Sequence, residues 1–443
     1  MWLKSFSNEQ IERGGSDMRE MKDSGIEWIG EIPCSWRMKR GKYLFNQRSS
    51  KGNAISLQLL SPTQKFGVIP QSLYEEKTGM NAVKLKDNAD LSMLKTLHKG
   101  DFCISLRSFQ GGFEYSEYEG VVSPAYQVFF PTANIERGFY KYLFKDCCFI
   151  EKMNSYTMTL RDGKNIAFSD FGNTYIPVPP LQEQKKIADF LDAKCAEIDA
   201  LTADIQAQID TLEQYKKSTV FKAISQGISH RRMKSTKSKI WTSIPCDWAL
   251  VDIKYLFEIV KRIAGKEGYD VLSVTQKGLK IKDIYSNEGQ IASDYSGYQF
   301  VYPTDYVMNH MDLLTGWVDC SSRFGVTSPD YRVFRLKDKK RNNLNYYKHV
   351  MQCCYMCRIF YSLGQGVSNL GRWRLQTSAF MNFQIPVPPL KEQNNIAVYL
   401  DHLCKEIDQI IEEKNNQLEA LSNYKKSIIY EYVTGKKEVS DER

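Results

Sequence analysis

The sequence predicts an α+β chain in which two pseudo-repeated mixed α/β domains alternate with two long helices, the helices pairing as an antiparallel coiled coil. Three observations predict it. IPVPPLQEQ at 176–184 returns as IPVPPLKEQ at 385–393, and KYLF at 42–45 returns at 254–257. Each proline pair opens a stretch free of Gly and Pro, Leu181 to about Gln226 and Leu390 to Val433. Both stretches carry apolar residues every seven positions, the period of a coiled coil.

The repeat sets the domain order. Ile32-Pro33-Cys34-Ser35-Trp36 matches Ile244-Pro245-Cys246-Asp247-Trp248, Ser61, Thr63, Gln64 and Lys65 match Ser273, Thr275, Gln276 and Lys277, and VSPAYQVF at 122–129 matches TSPDYRVF at 327–334. The offset drifts from 212 to 205 and back to 209, so insertions separate fixed landmarks. The expected segments are an N-terminal extension over 1–20, a first domain over 21–180, a central helix over 181–230, a second domain over 231–389, a second helix over 390–435 and a tail over 436–443. Residues 1–17 have no counterpart in the repeat, and the second opening, Trp241-Thr242-Ser243, is shorter than the first.

Within each domain, short alternating runs such as AYQVFF and YRVFRL predict strands joined by long loops. Trp36 and Trp248 are expected in the cores. A proline pair stops the strand before it and suits a helix start, and Gly227 and Gly435 stand where the helices should end. In the first helix Leu191, Ile198, Ile205, Leu212 and Thr219 form one seam, with Leu201, Gln208 and Tyr215 expected as the other. In the second, Leu400, Ile407, Lys414, Leu421 and Ile428 recur, with Leu403, Ile410, Gln417 and Tyr424 between them. The linker 228–241 is too short for a parallel return, so the helices should run antiparallel, holding the two domains at opposite ends of a spacer.

Composition narrows the function. The 443 residues are 42% hydrophobic and 25% charged, ordinary for a globular protein. No apolar run reaches the ~18–20 residues of a membrane span, and the N-terminus has no apolar h-region, so a cytoplasmic protein is expected. Eleven cysteines, two pairs of them adjacent, outline no disulfide framework. Cys353, Cys354 and Cys357 in CCYMC lack a second CxxC, so no metal site is expected. Net charge is +8, carried by the domains: residues 1–180 contribute +3 and 231–389 contribute +10, while helices 181–230 and 390–435 contribute −2 and −3. Basic domains on acidic helices suggest polyanion binding by the domains and protein contact by the helices. No GxxxxGK[ST] loop, GxGxxG, [DN]PP[YF] or HExxH occurs, which points to recognition rather than catalysis.

SGIEWIGEIPCSW, the twice-used IPVPPL[QK]EQ entering a long helix, SP[AD]Y[QR]VF, and YKKS near each helix end together resemble the specificity subunit of type I restriction–modification enzymes, along essentially the whole chain. The resemblance implies two target-recognition domains, each reading one half of a split double-stranded DNA site, with the helices as a fixed ruler. It implies a non-catalytic chain working with two methyltransferase (modification) subunits that use S-adenosylmethionine to methylate adenine N6. Two restriction subunits would add ATP- and Mg2+-dependent translocation and cleavage. No cofactor is expected in this chain.

DNA readers are expected in the divergent segments and beside the shared Thr-Gln-Lys: Thr63, Gln64, Lys65, Arg107, Ser108, Gln110 and Tyr115 in the first domain, with Gly111-Gly112 allowing close backbone approach. In the second they are Thr275, Gln276, Lys277, Asn309, His310 and Arg323, with Arg372 and Arg374 as phosphate contacts. Glu183, Gln184, Glu392 and Gln393 are expected either to touch the methyltransferase subunits or to favour the helix starts. Two other function classes compete: a coiled-coil tether presenting two protein-binding domains, which retention on DNA-cellulose would exclude, and a free-standing nuclease or methyltransferase, which activity of the chain alone would reveal.

Overall fold

The computed structural model describes residues 19–51, 57–80, 91–104, 112–156, 166–283, 294–366 and 373–440. The chain divides into two compact units: Met1–Ala203 with Gln417–Arg443, and Asp204–Asn416. Each unit therefore takes one of the two repeated domains and a stretch of both long helices, Leu181–Gln226 and Leu390–Val433.

In unit 1 the central sheet is antiparallel, in the order Phe45–Arg48, Gln127–Pro131, Phe102–Ile104, Phe113–Tyr115. Alternation along Gln127–Pro131 sends Phe129 into an aromatic core with Phe102, Phe113, Phe144 and Phe171. Val128 faces a smaller core with Leu60, Val68 and Leu97. Unit 2 repeats the order with Phe257–Ile259, Arg332–Leu336, Tyr306–Met308, Val318–Cys320. Its cores again lie on the two faces, Phe334 in one and Val333 in the other. Trp36, Trp241 and Trp248 are fully buried, as expected for two of them.

The proline pairs act as the sequence suggests. Tyr175–Val178 pairs with Arg37–Arg40, and Gln384–Val387 pairs with Ala249–Asp252. The chain then turns through Pro179-Pro180 or Pro388-Pro389 directly into a long helix. At the far ends, Gly227 and Gly435 adopt left-handed φ of +80° and +73°. A Cβ on Gly435 would come within 2.5 Å of Pro33 Cδ, so this helix end seats directly on the strand Glu31–Pro33.

Within each unit the helices run antiparallel. In unit 1, Lys425 Nζ donates to Asp199 Oδ1 at 2.6 Å. In unit 2, Lys216 Nζ donates to Asp408 at 2.6 and 2.8 Å and Lys414 Nζ to Gln208 Oε1 at 2.5 Å. Leu191, Ile198, Ile205, Leu400, Ile407 and Ile428 are buried as the first seam requires. The second seam differs by one residue from its expected place. Leu201, Tyr215, Ile410 and Tyr424 are 41–54% exposed, while Cys195 and Ile209 are buried instead. Steps of i+3 and i+4 both keep to one helix face, and the choice of i+4 leaves a further apolar stripe in solvent. Among the described residues no helix is long and apolar enough to cross a membrane.

Candidate nucleic-acid interface

Each unit projects one hairpin built on the shared Thr-Gln-Lys. In unit 1 Leu60–Thr63 pairs with Gly67–Pro70. The Thr63 hydroxyl donates to Gly67 O and accepts from Phe66 N, both at 3.1 Å, so Thr63 locks the turn while Gln64 and Lys65 face solvent. In unit 2 Leu272–Thr275 pairs with Gly278–Ile281. Thr275 Oγ1 donates to Gly278 O at 2.8 Å and accepts from Lys277 N at 3.2 Å, leaving Gln276 and Lys277 exposed. The repeated threonine is thus the turn's internal fastener, and the two residues after it are the presented pair.

The surroundings differ. In unit 1 Lys65 and Lys77 stand over the Phe66 ring at 5.1 and 5.8 Å. Tyr115 lies beside the hairpin, since Val68 bridges Ser116. Gln64, Lys65 and Tyr115 line one cleft of about 610 Å³ together with Glu114, Lys141 and Lys145. Glu114 is buried against Lys145 at 2.6 Å, and burial pushes its carboxyl up to about 7 despite that cation. Arg107, Ser108, Gln110 and Gly111 lie outside the described residues.

In unit 2 the hairpin stands beside the loop that follows Tyr306–Met308. Trp317 packs against both cores there, and Leu279 N donates to Asp319 Oδ2 at 3.0 Å. Asn309 turns inward: its Oδ1 accepts from Met311 N at 3.2 Å and its carbonyl accepts from the Tyr355 hydroxyl at 2.8 Å. Its side-chain oxygen and its carbonyl are thus both engaged within the loop. His310 O accepts from Leu375 N at 3.0 Å, which brings Arg374 to the same place. Arg323 is exposed at the opposite end of Val318–Cys320, in a turn fastened by Ser321 Oγ. Arg372 lies outside the described residues.

The residues after the proline pairs do internal work. Gln184 Oε1 accepts from Glu136 N at 2.8 Å and its amide donates to Pro179 O at 2.7 Å. Gln393 repeats both bonds, with Asn343 N at 2.8 Å and Pro388 O at 2.9 Å. Both glutamines are 1% exposed, their amides turned inward onto the helix starts, the second of the two roles expected of them. Glu183 accepts from Trp36 Nε1 at 2.9 Å and pairs with Arg19 at 2.5 Å, while buried Glu392 pairs with Arg231. These four residues tie helix starts to domains, because a buried amide or carboxylate is stable only when bonded.

Sequence reasoning missed Arg332. It is 5% exposed, donates to Leu375 O at 2.9 Å and Thr377 Oγ1 at 3.3 Å, and sits 4.8 Å over Phe380. The signal was present: the repeat reads YRVF where unit 1 reads YQVF, placing a cation on an inward strand position. Among the described residues, the grouping of three potential metal-ligand atoms is Asp146, Cys147 and Cys148, where the Asp146 side chain caps the helix at Phe149 N. Of the CCYMC cysteines, Cys353 and Cys354 are buried on the helix Leu344–Met356 and Cys357 caps its end, with Cys353 Sγ 3.8 Å from Cys357 Sγ.

The described geometry is that of a duplicated scaffold with two different surfaces, and comparison with known proteins agrees. The family model for the type I restriction modification DNA specificity domain matches twice, over residues 40–211 and 245–420. The type I restriction enzyme MjaVIII specificity subunit of Methanocaldococcus jannaschii is 28% identical over 283 residues, covering 60% of this chain and 63% of that one. The EcoBI specificity subunit of Escherichia coli is 22% identical over 289 residues, covering 60% and 59%. This chain thus matches about three fifths of the length of these relatives. A solved chain from a study of complex assembly and conformational transition of the type I R-M system has the same fold, with a TM-score of 0.65 at 14% identity over 91% of this chain and 98% of that one. Matched twice and over more than half of its length, the chain belongs to the family of type I restriction modification DNA specificity domains.

Proposed function

We propose that this chain is the DNA-reading, non-catalytic subunit of a type I modification and restriction complex. Each domain reads one half of a bipartite target, and the long helices set the gap between the halves. The observation that carries this reading is the pair of hairpins. One internal fastener, Thr63 or Thr275, presents an exposed Gln-Lys pair in both units, while the side chains around the two hairpins differ. A common scaffold with unlike rims suits two readers of unrelated short sequences. Gln64 and Gln276 have the amide geometry that pairs with adenine, and Lys65 and Lys277 the charge that binds phosphate. Tyr115, His310, Arg323 and Arg374 remain candidate DNA contacts on the same reading, as do Arg107, Ser108, Gln110 and Arg372.

The partners follow from the helices. The exposed stripe holding Leu201 and Tyr424 in unit 1, and Tyr215 and Ile410 in unit 2, is apolar surface that a helix pair does not need. In unit 2 Ile410 and Leu212 line an open groove. Such a stripe accepts further helices, here from two methyltransferase subunits. Those subunits would bring S-adenosylmethionine and methylate adenine N6 after lifting it from the stack. Restriction subunits would bring ATP and Mg2+, and the assembly would work in the cytoplasm.

The test is a map of methylated adenines by single-molecule sequencing in cells with and without this chain. A split motif that disappears with the chain is the expected result. If no motif depends on the chain, the reading is wrong and the tether takes its place.

A further inference from the structure

Among the described residues, unit 2 carries a positive site with no counterpart in unit 1. Arg332 is buried on the sheet, yet among the described residues no carboxylate pairs with it or with Arg374. An isolated buried cation is costly, and burial pushes the Arg332 guanidinium down to about 10. Its bonds go to Leu375 O and Thr377 Oγ1. The same segment returns a bond from Leu375 N to His310 O and is clipped by the mutual backbone bonds of Gln365 and Arg374, at 2.9 and 3.1 Å. Arg374 is thereby held exposed, one residue before the carbonyl that Arg332 binds, with its charge acting on His310. His310 is part-buried, and its Nδ1 is buried without a hydrogen-bond partner. Burial first, then the charges of Arg332 and Arg374, hold the imidazole down at about 4, with Asp330 the acid acting in the opposite sense. In unit 1 the position of Arg332 is Gln127, which meets Gln47 across the sheet.

Resting on the DNA reading above, we infer that Arg374 binds a phosphate of the DNA backbone, with Arg332, bonded to the neighbouring Leu375 O, as its positioning residue. A phosphate fits better than a base edge, because two uncompensated guanidiniums call for a full negative charge and a base acceptor offers only partial charge. A backbone contact in one unit alone would anchor that unit's register on the duplex, leaving base reading to the hairpin and loop.

The experiment uses the full-length chain co-purified with its modification subunit and a duplex carrying the mapped motif, with affinity measured across a salt series. Arg374→Ala is expected to weaken binding roughly tenfold, equally for matched and single-mismatch duplexes, and to flatten the salt slope by about one. Arg332→Met is expected to weaken binding similarly, and the double variant to be no worse than Arg374→Ala alone, since Arg332 acts through Arg374. Thermal unfolding of each variant separates loss of fold from loss of binding. Unchanged affinity and slope in Arg374→Ala, with wild-type methylation still dependent on the chain, overturns the site. Loss confined to one base pair at an unchanged slope also overturns it, in favour of base reading. If the wild-type complex binds no duplex, the underlying reading fails first.

Discussion

Thr304 stands in unit 2 where Gly100 stands in unit 1. Gly100 N donates to Ser116 O at 2.8 Å and Thr304 N to Ser321 O at 2.7 Å, and their φ angles are +88° and +75°. Around both, one frame recurs: the buried Asp101 paired with Arg48, the buried Asp305 paired with Arg262, and the serine-fastened turn. The frame demands a left-handed residue at this point. Glycine meets the demand without strain, whereas a β-branched residue there is an outlier.

The strain is measurable. Thr304→Gly should raise the stability of unit 2 by about 1 kcal/mol, the relief of an αL side chain less the added entropy of the unfolded glycine. Gly100→Ala should lower the stability of unit 1, because its Cβ would meet Arg137 Nη1 at 1.9 Å in addition to the unfavourable φ. Urea denaturation of the two variants checks both signs. A Thr304→Gly protein no more stable than wild type would mean that the Lys339–Thr304 side-chain bond outweighs the strain.

A second consequence concerns Gln184 and Gln393. Each buried amide closes two bonds, one to the carbonyl of the proline before the helix and one to the backbone N–H that opens the domain's helical segment. Replacing either by Ala leaves a buried donor and acceptor without partners and should cost about 2–3 kcal/mol. Gln184→Ala should affect protection of amide hydrogens around Glu136 and Gln393→Ala around Asn343. Equal loss of protection everywhere would show that the clasp is not local.

The repeat, both helix spans and the strand before each proline pair were legible because they rest on spacing, which a single sequence displays. The IPVPPL entry to each helix reads directly as a strand, a stop and a start. The helix seam was legible only in part, since Leu201 and Tyr215 satisfy a seven-residue period as well as Ile209 does, and burial alone decides among them. The roles of Gln184 and Gln393 were hidden because a polar residue at a helix start reads equally well as exposed or as a clasp. Arg332 shares a strand face with Phe334, two residues on, and its inward position becomes readable once Phe334 is placed in the core.

Acid should loosen unit 2 before unit 1. His349 is buried and bonded to Asp401 at 2.8 Å, where unit 1 has Tyr142 on Asp192. Burial is the largest influence on His349 and holds its pKa below 6.5, outweighing the pull of Asp401; His310 is lowered as well, to about 4. A histidine whose folded pKa is depressed takes up its proton more readily when unfolded. Its contribution is therefore complete above about 6.5 and is lost as pH falls toward the folded value. Asp401, held down at about 2 chiefly by its bond to His349, adds loss only below the ordinary carboxylate range. Stability of the chain should decline between about pH 6.5 and 4, and His349→Tyr should reduce the decline. An unchanged profile in that variant would place the acid sensitivity elsewhere.

The exposed stripe separates partner binding from folding. Tyr424 is 54% exposed in unit 1 and Tyr215 is 52% exposed in unit 2, so neither side chain supports its own core appreciably. Tyr215→Glu and Tyr424→Glu should change the chain's stability by no more than about 0.5 kcal/mol, as surface substitutions do. Either charge placed in an apolar helix–helix contact should nevertheless cost the assembly several kcal/mol, because it would be desolvated without a partner. Co-purification with the modification subunit should fall sharply for both variants. A Lys217→Glu control on the helix of Tyr215, exposed and two residues further on, hence on another face, should leave it intact. Retention of the subunit by both tyrosine variants would mean that the modification subunits bind elsewhere on the chain, and the apolar stripe would then need another occupant.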